Sequence, residues 1–185
     1  MVHMNVEIEF KTKIDQSKYE TLIEAFSLEG NVFKQTNYYF DTDQLELNQQ
    51  SMVLRIRQKR ETYKLTLKSQ SEHGAYEYHI LLDQDQANDM IKNGFKTKDY
   101  FEQIDFFVKF QTSLDNFRAS TPYESGTLFL DYNEYCGLTD YEIEFEADHF
   151  ETGLQTWNKI LSKFQITFQQ TKRKSERALM CIIRP

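Results

Sequence analysis

The segment Val6-Glu7-Ile8-Glu9-Phe10-Lys11 alternates apolar and charged residues. Period 2 is the period of a strand, so Glu7, Glu9 and Lys11 share one face at steps of roughly 7 Å, and Val6, Ile8 and Phe10 take the other. Two carboxylates so placed repel each other. A hard divalent cation such as Mg²⁺ or Mn²⁺ relieves that repulsion, because it takes oxygen ligands. A solvated charged face is the alternative reading of this strand on its own. Tyr141-Glu142-Ile143-Glu144-Phe145-Glu146 repeats the pattern with three acids on one face, a crowding that is costly without a cation.

Other strands carry the opposite sign. Leu54-Arg55-Ile56-Arg57 puts two guanidinium groups on one face. Each offers a planar fork that grips phosphate oxygens in two places. Lys64, Thr66 and Lys68 share a face opposite Leu65 and Leu67, which suits either a polyanion or a lysine-protected sheet edge. Lys172, Arg173, Lys174 and Arg177 form a late basic cluster, readable as a helix end complementing its dipole or as further phosphate ligands. Arg118 is an isolated candidate for the same role, and Glu77 and Asp131 are further acids on strands, ranked below the glutamate pairs.

The elements that must position these groups are mostly strands. Beyond the two acidic strands, strands are expected over Gln35–Thr42, Met52–Gln58, Thr62–Lys68, Ala75–Leu82, Phe107–Ala119 and Gly126–Asn133, with Met52–Gln58 and Thr62–Lys68 forming a hairpin. Helices are expected over Ser17–Leu28, with Ser17 and Glu20 at capping-box spacing, over Gln84–Asn93 and Lys98–Ile104, and over His149–Phe164, which carries Phe150, Leu154, Trp157, Ile160 and Leu161. The simplest arrangement is α+β: one antiparallel sheet closed on itself, with helices outside. If the charged faces lie outside, the apolar faces fill a small barrel core. If they lie inside, helices must cover the apolar faces, and a charged interior that binds nothing would be expensive to desolvate.

Composition sets the limits. The 185 residues suit one domain, 1–185, without a repeat or a linker. Apolar residues are 39%, and 15 Phe and 11 Tyr supply enough area for a core, while 6 Gly and 2 Pro (Pro122 and Pro185) exclude a collagen-like or Pro/Gly-rich chain. A net charge of −7 argues against general binding to nucleic acid or to an anionic membrane. No apolar run reaches the ~18 residues of a spanning helix, and the start has no secretory signature. Met4 is a second candidate for the natural start beside Met1. Cys136 and Cys181 read as reduced thiols of a cytoplasmic protein. His3, His73, His79 and His149 give no zinc spacing, no Ser-His-Asp constellation can be argued, and there is no Gly-rich phosphate loop. Side chains must therefore hold any phosphate. The helix bearing Trp157 can pack on the barrel or on a partner, a homodimer included.

Glu7-Ile8-Glu9-Phe10-Lys11 matches the Glu-x-Glu-x-Lys signature that opens the CYTH proteins, or triphosphate tunnel metalloenzymes. Tyr39-Phe40-Asp41-Thr42, Leu54-Arg55-Ile56-Arg57, Leu65-Thr66-Leu67-Lys68, Arg118, Tyr141-Glu142-Ile143-Glu144 and Lys172-x-Lys174-x-x-Arg177 then follow in the family's order, from about residue 5 to 180. The chain is similar to the short single-domain bacterial members. The resemblance implies an eight-stranded antiparallel tunnel holding a triphosphate. It implies Mg²⁺ or Mn²⁺ on Glu7, Glu9, Glu142 and Glu144, which with Lys11 form the catalytic set. It implies phosphate contacts from Lys11, Arg55, Arg57, Lys68, Arg118 and Lys174, with Lys64 and Lys172 as alternates. Arg173 stands where the family usually has a small residue. The implied activity is metal-dependent hydrolysis of a triphosphate, inorganic triphosphate first. Class IV adenylate cyclase and thiamine triphosphatase activities are alternatives on the same scaffold, as is a binding module without turnover.

Overall fold

A computed structural model of the chain describes residues 3–71 and 74–183; Met1, His73 and Pro185, named above, lie outside the described residues. Nine strands form: β1 His3–Ile14, β2 Phe33–Asp41, β3 Met52–Lys59, β4 Thr62–Ser71, β5 Gly74–Leu82, β6 Phe95–Lys96, β7 Phe107–Tyr123, β8 Gly126–Tyr135 and β9 Leu138–Ala147. The helices are α1 Gln16–Ala25, α2 Glu46–Gln49, α3 Gln84–Asn93, α4 Phe150–Lys163 and α5 Lys174–Ile183. The hydrogen-bonded order is β2-β3-β4-β5-β1-β9-β8-β7-β6, and β2 also pairs with β7. The eight long strands thus close into an antiparallel β-barrel with helices outside, and β6 is a two-residue addition on β7.

The chain forms two compact units. The first comprises Gln35–Leu114 with the segment up to Val6 and the segment from Arg173 on; the second comprises Glu7–Lys34 and Asp115–Lys172. In the first unit, Leu54, Ile56, Leu65 and Leu67 share one face of the β3–β4 hairpin and pack with Ala87 and Met90 of α3 and with Phe95, Phe101, Ile104 and Val108. Asp83 and Gln86 close a capping box on α3. Gly94 ends that helix at φ 74, and a Cβ there would sit 2.4 Å from the Val108 carbonyl oxygen, so the turn into β6 requires glycine.

Two expectations are corrected in detail. Lys98–Ile104 is not a helix; only Thr97–Asp99 makes a single 3₁₀ turn. The Thr97 hydroxyl donates to the Ile104 carbonyl at 3.1 Å and accepts from the Phe106 amide at 2.9 Å. This local bridge leaves Phe101 and Ile104 both dropped into the core, where helical spacing would have lined them up. In the second unit α1 starts earlier than expected. Asp15, rather than Ser17, caps it by accepting from the Lys18 amide at 2.7 Å, and the helix ends at Ala25, where Ser27 takes φ 53. Asp is as good a cap as Ser and lies two residues closer to the end of β1.

The second unit's core joins Leu128, Leu130, Ile143 and Phe145 of β8 and β9 to Leu22 and Ile23 of α1 and Trp157 and Ile160 of α4. Gly153 lets α4 lie close on the sheet, since a Cβ there would meet Ala147 at 2.5 Å and the Phe10 ring at 2.8 Å. The apolar face of these strands is therefore covered by helices. The charged face is also withdrawn from water: Asp131 and Glu142 are fully buried and Glu144 is 1% exposed. Among the two orientations that alternation allows, this unit takes the one with sheltered charges.

Candidate active site

In the second unit, the β1–β9 register sets Glu9 opposite Glu146, Lys11 opposite Glu144 and Lys13 opposite Glu142. The β8–β9 register sets Asp131 beside Glu142 and Phe129 beside Glu144, and Arg118 of β7 stands opposite Asp131. Alternation gives each strand's faces. The pairing decides which acids meet.

Carboxylate oxygens of Glu7, Glu9 and Glu146 all lie within 4.8 Å of one another. Lys11 Nζ donates to Glu9 Oε1 at 2.6 Å. Burial first, then the charges of Glu7, Glu9 and Glu144, raise the Glu146 carboxyl to about 7 against the pull of Arg118. Crowding of this kind is what a bound cation relieves. The donors are all hard oxygens and suit Mg²⁺ or Mn²⁺. The trio therefore fits the metal that the sequence leads one to expect. Glu146 is the third acid of the β9 alternation, and the resemblance names only Glu142 and Glu144. The signal that finds it is register.

Glu142 and Glu144 have other company. Arg118 donates to Asp131 at 2.8 and 2.6 Å and also to Glu144 Oε2, with its guanidinium 4.3 Å above the Phe129 ring. Burial works against the Arg118 charge, but Asp131 and Glu144 outweigh it and hold the guanidinium more firmly protonated than usual. The Asn133 amide donates to Glu142 at 3.4 Å and to Asp140 at 3.0 Å, and accepts from Asn116 at 2.9 Å. Asp131, ranked low from sequence, is the chief partner of Arg118.

The first unit gathers the basic residues. Arg55 pairs across to Thr66 and Arg57 to Lys64 on β4, while Lys68 stands opposite Glu77 and Thr66 opposite His79 on β5. Arg57 Nε donates to Asn37 Oδ1 at 2.8 Å, which fixes its fork. Glu77, 5% exposed, lies 3.8 Å from Arg55, 3.6 Å from Lys68 and 3.3 Å from His79. Burial would raise its proton affinity, but Arg55, Lys68, His79 and Arg57 together hold it below the usual carboxylate range. Lys64 shares the Lys68 face but stands opposite Leu81, at the other end of the strand.

The late cluster divides. Lys172 is exposed, and Lys174 is half-buried as the first residue of α5. Arg173 between them donates to Glu176 at 2.8 Å and to the Ser51 carbonyl at 3.0 Å, while Glu176 also accepts from the Arg173 amide at 2.9 Å. Arg173 thus ties down the start of α5. Asp41 of the second-strand motif acts in a similarly local way. Its carboxylate accepts from the amides of Thr42, Leu47 and Asn48 at 2.8 to 2.9 Å and caps α2.

Residues 5–179 match the CYTH domain family, and the chain belongs to that family. Over 175 residues it is 35% identical to a Bacillus subtilis protein named "Putative triphosphatase YjbK", covering 91% of this chain and 92% of that one. The crystal structure of a Bacillus halodurans protein, described as a "putative adenylate cyclase", shares 32% identity with a TM-score of 0.87, over 94% of this chain and 97% of that one. The fold is also that of HpAC1 from Hippeastrum, at 23% identity, a TM-score of 0.74 and coverage of 95% and 94%; its structure is described with a dominant triphosphatase activity. Among the described residues no helix is long and apolar enough to cross a membrane.

Proposed function

We propose that the chain is a metal-dependent triphosphatase whose first substrate is inorganic triphosphate. The observation that carries this reading is the Glu7–Glu9–Glu146 carboxylate trio in a chain whose β3 and β4 strands carry basic faces. A pure anion binder gains nothing from three crowded carboxylates. The B. subtilis relative's name points the same way.

Glu7, Glu9 and Glu146 would hold Mg²⁺ or Mn²⁺, and Glu142 and Glu144 complete the acidic set implied by the family resemblance. When bound, the cation polarises a phosphoryl oxygen and offsets charge on the leaving phosphate. Arg55, Arg57 and Lys68 grip the phosphate chain, with Lys11, Lys64, Arg118, Lys172 and Lys174 as the further contacts proposed. Lys11 would orient Glu9 through their 2.6 Å contact. A carboxylate of the acidic set would accept the proton of the attacking water.

The test is phosphate release by the purified protein from inorganic triphosphate, ATP and thiamine triphosphate, each with Mg²⁺, Mn²⁺ or chelator. Metal-dependent release from inorganic triphosphate supports the reading. Cyclic nucleotide and pyrophosphate from ATP would support the cyclase alternative, which the name of the B. halodurans relative favours. Tight triphosphate binding without turnover would leave a binding module.

A further inference from the structure

Glu77 is a buried acid placed among the cations that should receive an anion. Its two oxygens are treated differently. Oε2 lies 3.3 Å from His79 Nε2, and His79 Nδ1 lies 3.2 Å from the Thr66 hydroxyl. The imidazole thus stands between the two, its Nε2 facing Glu77 and its Nδ1 meeting the Thr66 hydroxyl. Thr66 is itself fully buried, so this chain starts from a fixed point. The other oxygen, Oε1, stands 3.8 Å from Arg55 Nη2 and 3.6 Å from Lys68 Nζ, beyond hydrogen-bond reach of either. Among the described residues neither Glu77 Oε1 nor Arg55 Nε has a hydrogen-bond partner. A carboxylate left to itself beside two cations closes on them. Here the far oxygen faces His79 instead.

We propose that Glu77 is a positioning residue that limits how tightly the basic strands hold phosphate, and that His79, braced by Thr66, sets that limit by keeping the Glu77 carboxylate at a distance from Arg55 and Lys68. The inference rests on the triphosphatase reading and deepens it. A polyanion seated on Arg55 and Lys68 meets the charge of Glu77 at close range. The cations keep enough charge to bind, and the bound anion, substrate or product, is not held too firmly to leave.

The proposal makes two substitutions act in opposite directions. In Glu77→Gln the counter-charge is gone while the shape and the acceptor for His79 remain, so phosphate binding tightens. In His79→Phe the restraint is gone while the ring volume remains, so the carboxylate swings onto Arg55 and Lys68 and phosphate binding weakens. Loss of packing alone would weaken both.

The experiment is calorimetric titration of the intact, metal-free protein with inorganic triphosphate and with pyrophosphate, at fixed pH and salt, beside thermal melts of each variant. The expected result is about tenfold tighter binding of both anions by Glu77→Gln and about tenfold weaker binding by His79→Phe, the size expected of one partly screened charge at this range. Thr66→Val, which removes only the brace, should follow His79→Phe with a smaller loss. In turnover, Glu77→Gln should lower KM and kcat together, because product leaves more slowly. Equal or weaker binding by a Glu77→Gln protein that melts like the parent overturns the proposal, as does unchanged or tighter binding by His79→Phe. If Glu77→Gln does not fold, the sign of the His79→Phe and Thr66→Val effects decides. A parent protein that binds neither anion overturns the triphosphatase reading itself. A parent that binds while the variants fail to diverge overturns only the role given to Glu77.

Discussion

The second unit carries a buried cation among acids, Arg118, and the first carries a buried acid among cations, Glu77. Arg118 is locked: it reaches Asp131 through two short hydrogen bonds, reaches Glu144 as well, and rests on Phe129. Glu77 stands at ion-pair distance from Arg55 and Lys68, with its nearest restraint on the far side at His79. The difference separates two uses of a buried counter-charge. Arg118 makes a dense acidic face foldable, and it leaves the Glu7–Glu9–Glu146 trio as the place where crowded carboxylates can take a metal ion. Glu77 moderates a basic face without consuming its cations. A charge fixed by short hydrogen bonds and a charge held at ion-pair distance thus differ in geometry.

The largest effect that would break this comparison is on stability. Arg118→Ala leaves Asp131 and Glu144 buried without their cation and should cost about 3–5 kcal/mol. Chemical denaturation should show that loss, against a change below about 1 kcal/mol for Glu77→Gln, whose cationic neighbours keep some access to water. Equal costs would remove the distinction.

A second test separates the two faces by ligand. Arg55→Ala and Lys68→Ala should raise the KM for triphosphate by about 10- to 100-fold, one charge-assisted contact each, and leave Mg²⁺ affinity in the absence of substrate unchanged. Glu9→Gln should do the reverse and lose Mg²⁺ binding. Mg²⁺ binding that falls with Lys68→Ala would merge the two roles.

A third follows from Glu146. Its carboxyl is raised from 4.5 to about 7 in the folded chain, so the folded state holds that proton more tightly than the unfolded one. Stability from this group is complete below pH 4.5 and is lost as the pH rises to about 7. Glu77 works in the other direction, because its lowered value gives stability that is lost as the pH falls below 4.5. Melting temperature of the metal-free protein should therefore decline from pH 5 to pH 8, and Mg²⁺ should restore it at the upper end. A metal-free protein that melts higher at pH 8 than at pH 5 would contradict the crowding of the trio.

The smallest expected effect is at Asp41, where Asp41→Ala removes the cap of α2 and should cost about 1 kcal/mol with little change in turnover. A large loss of activity there would place the motif in the chemistry.

Much of this was legible in the chain. The strict alternation around Glu7 and around Glu142 fixes two strands and their faces, and the apolar side of each needs helices such as the one bearing Trp157. Alternation is a local signal, so it names the acids of one strand and not which of them meet the acids of another. Glu142 and Glu144 look like the natural partners of Glu7 and Glu9, yet the β1–β9 register brings Glu146 to them and gives Glu144 to Arg118. The same limit hides Glu77 and His79, whose meaning depends on standing beside Lys68 and Thr66. Lys98–Ile104 misleads for another reason: the bridge through the Thr97 hydroxyl overrides helical spacing, and no periodicity shows it.

The most direct measurement is phosphate release from inorganic triphosphate by the parent protein and by Glu9→Gln and Glu146→Gln, each with Mg²⁺ and with chelator. The account expects Mg²⁺-dependent release by the parent, abolished by chelator. It expects a loss of at least about 100-fold in both variants, or about 2.7 kcal/mol of transition-state stabilisation. Release that is indifferent to chelator, or that persists in Glu146→Gln at the parent rate, would contradict it.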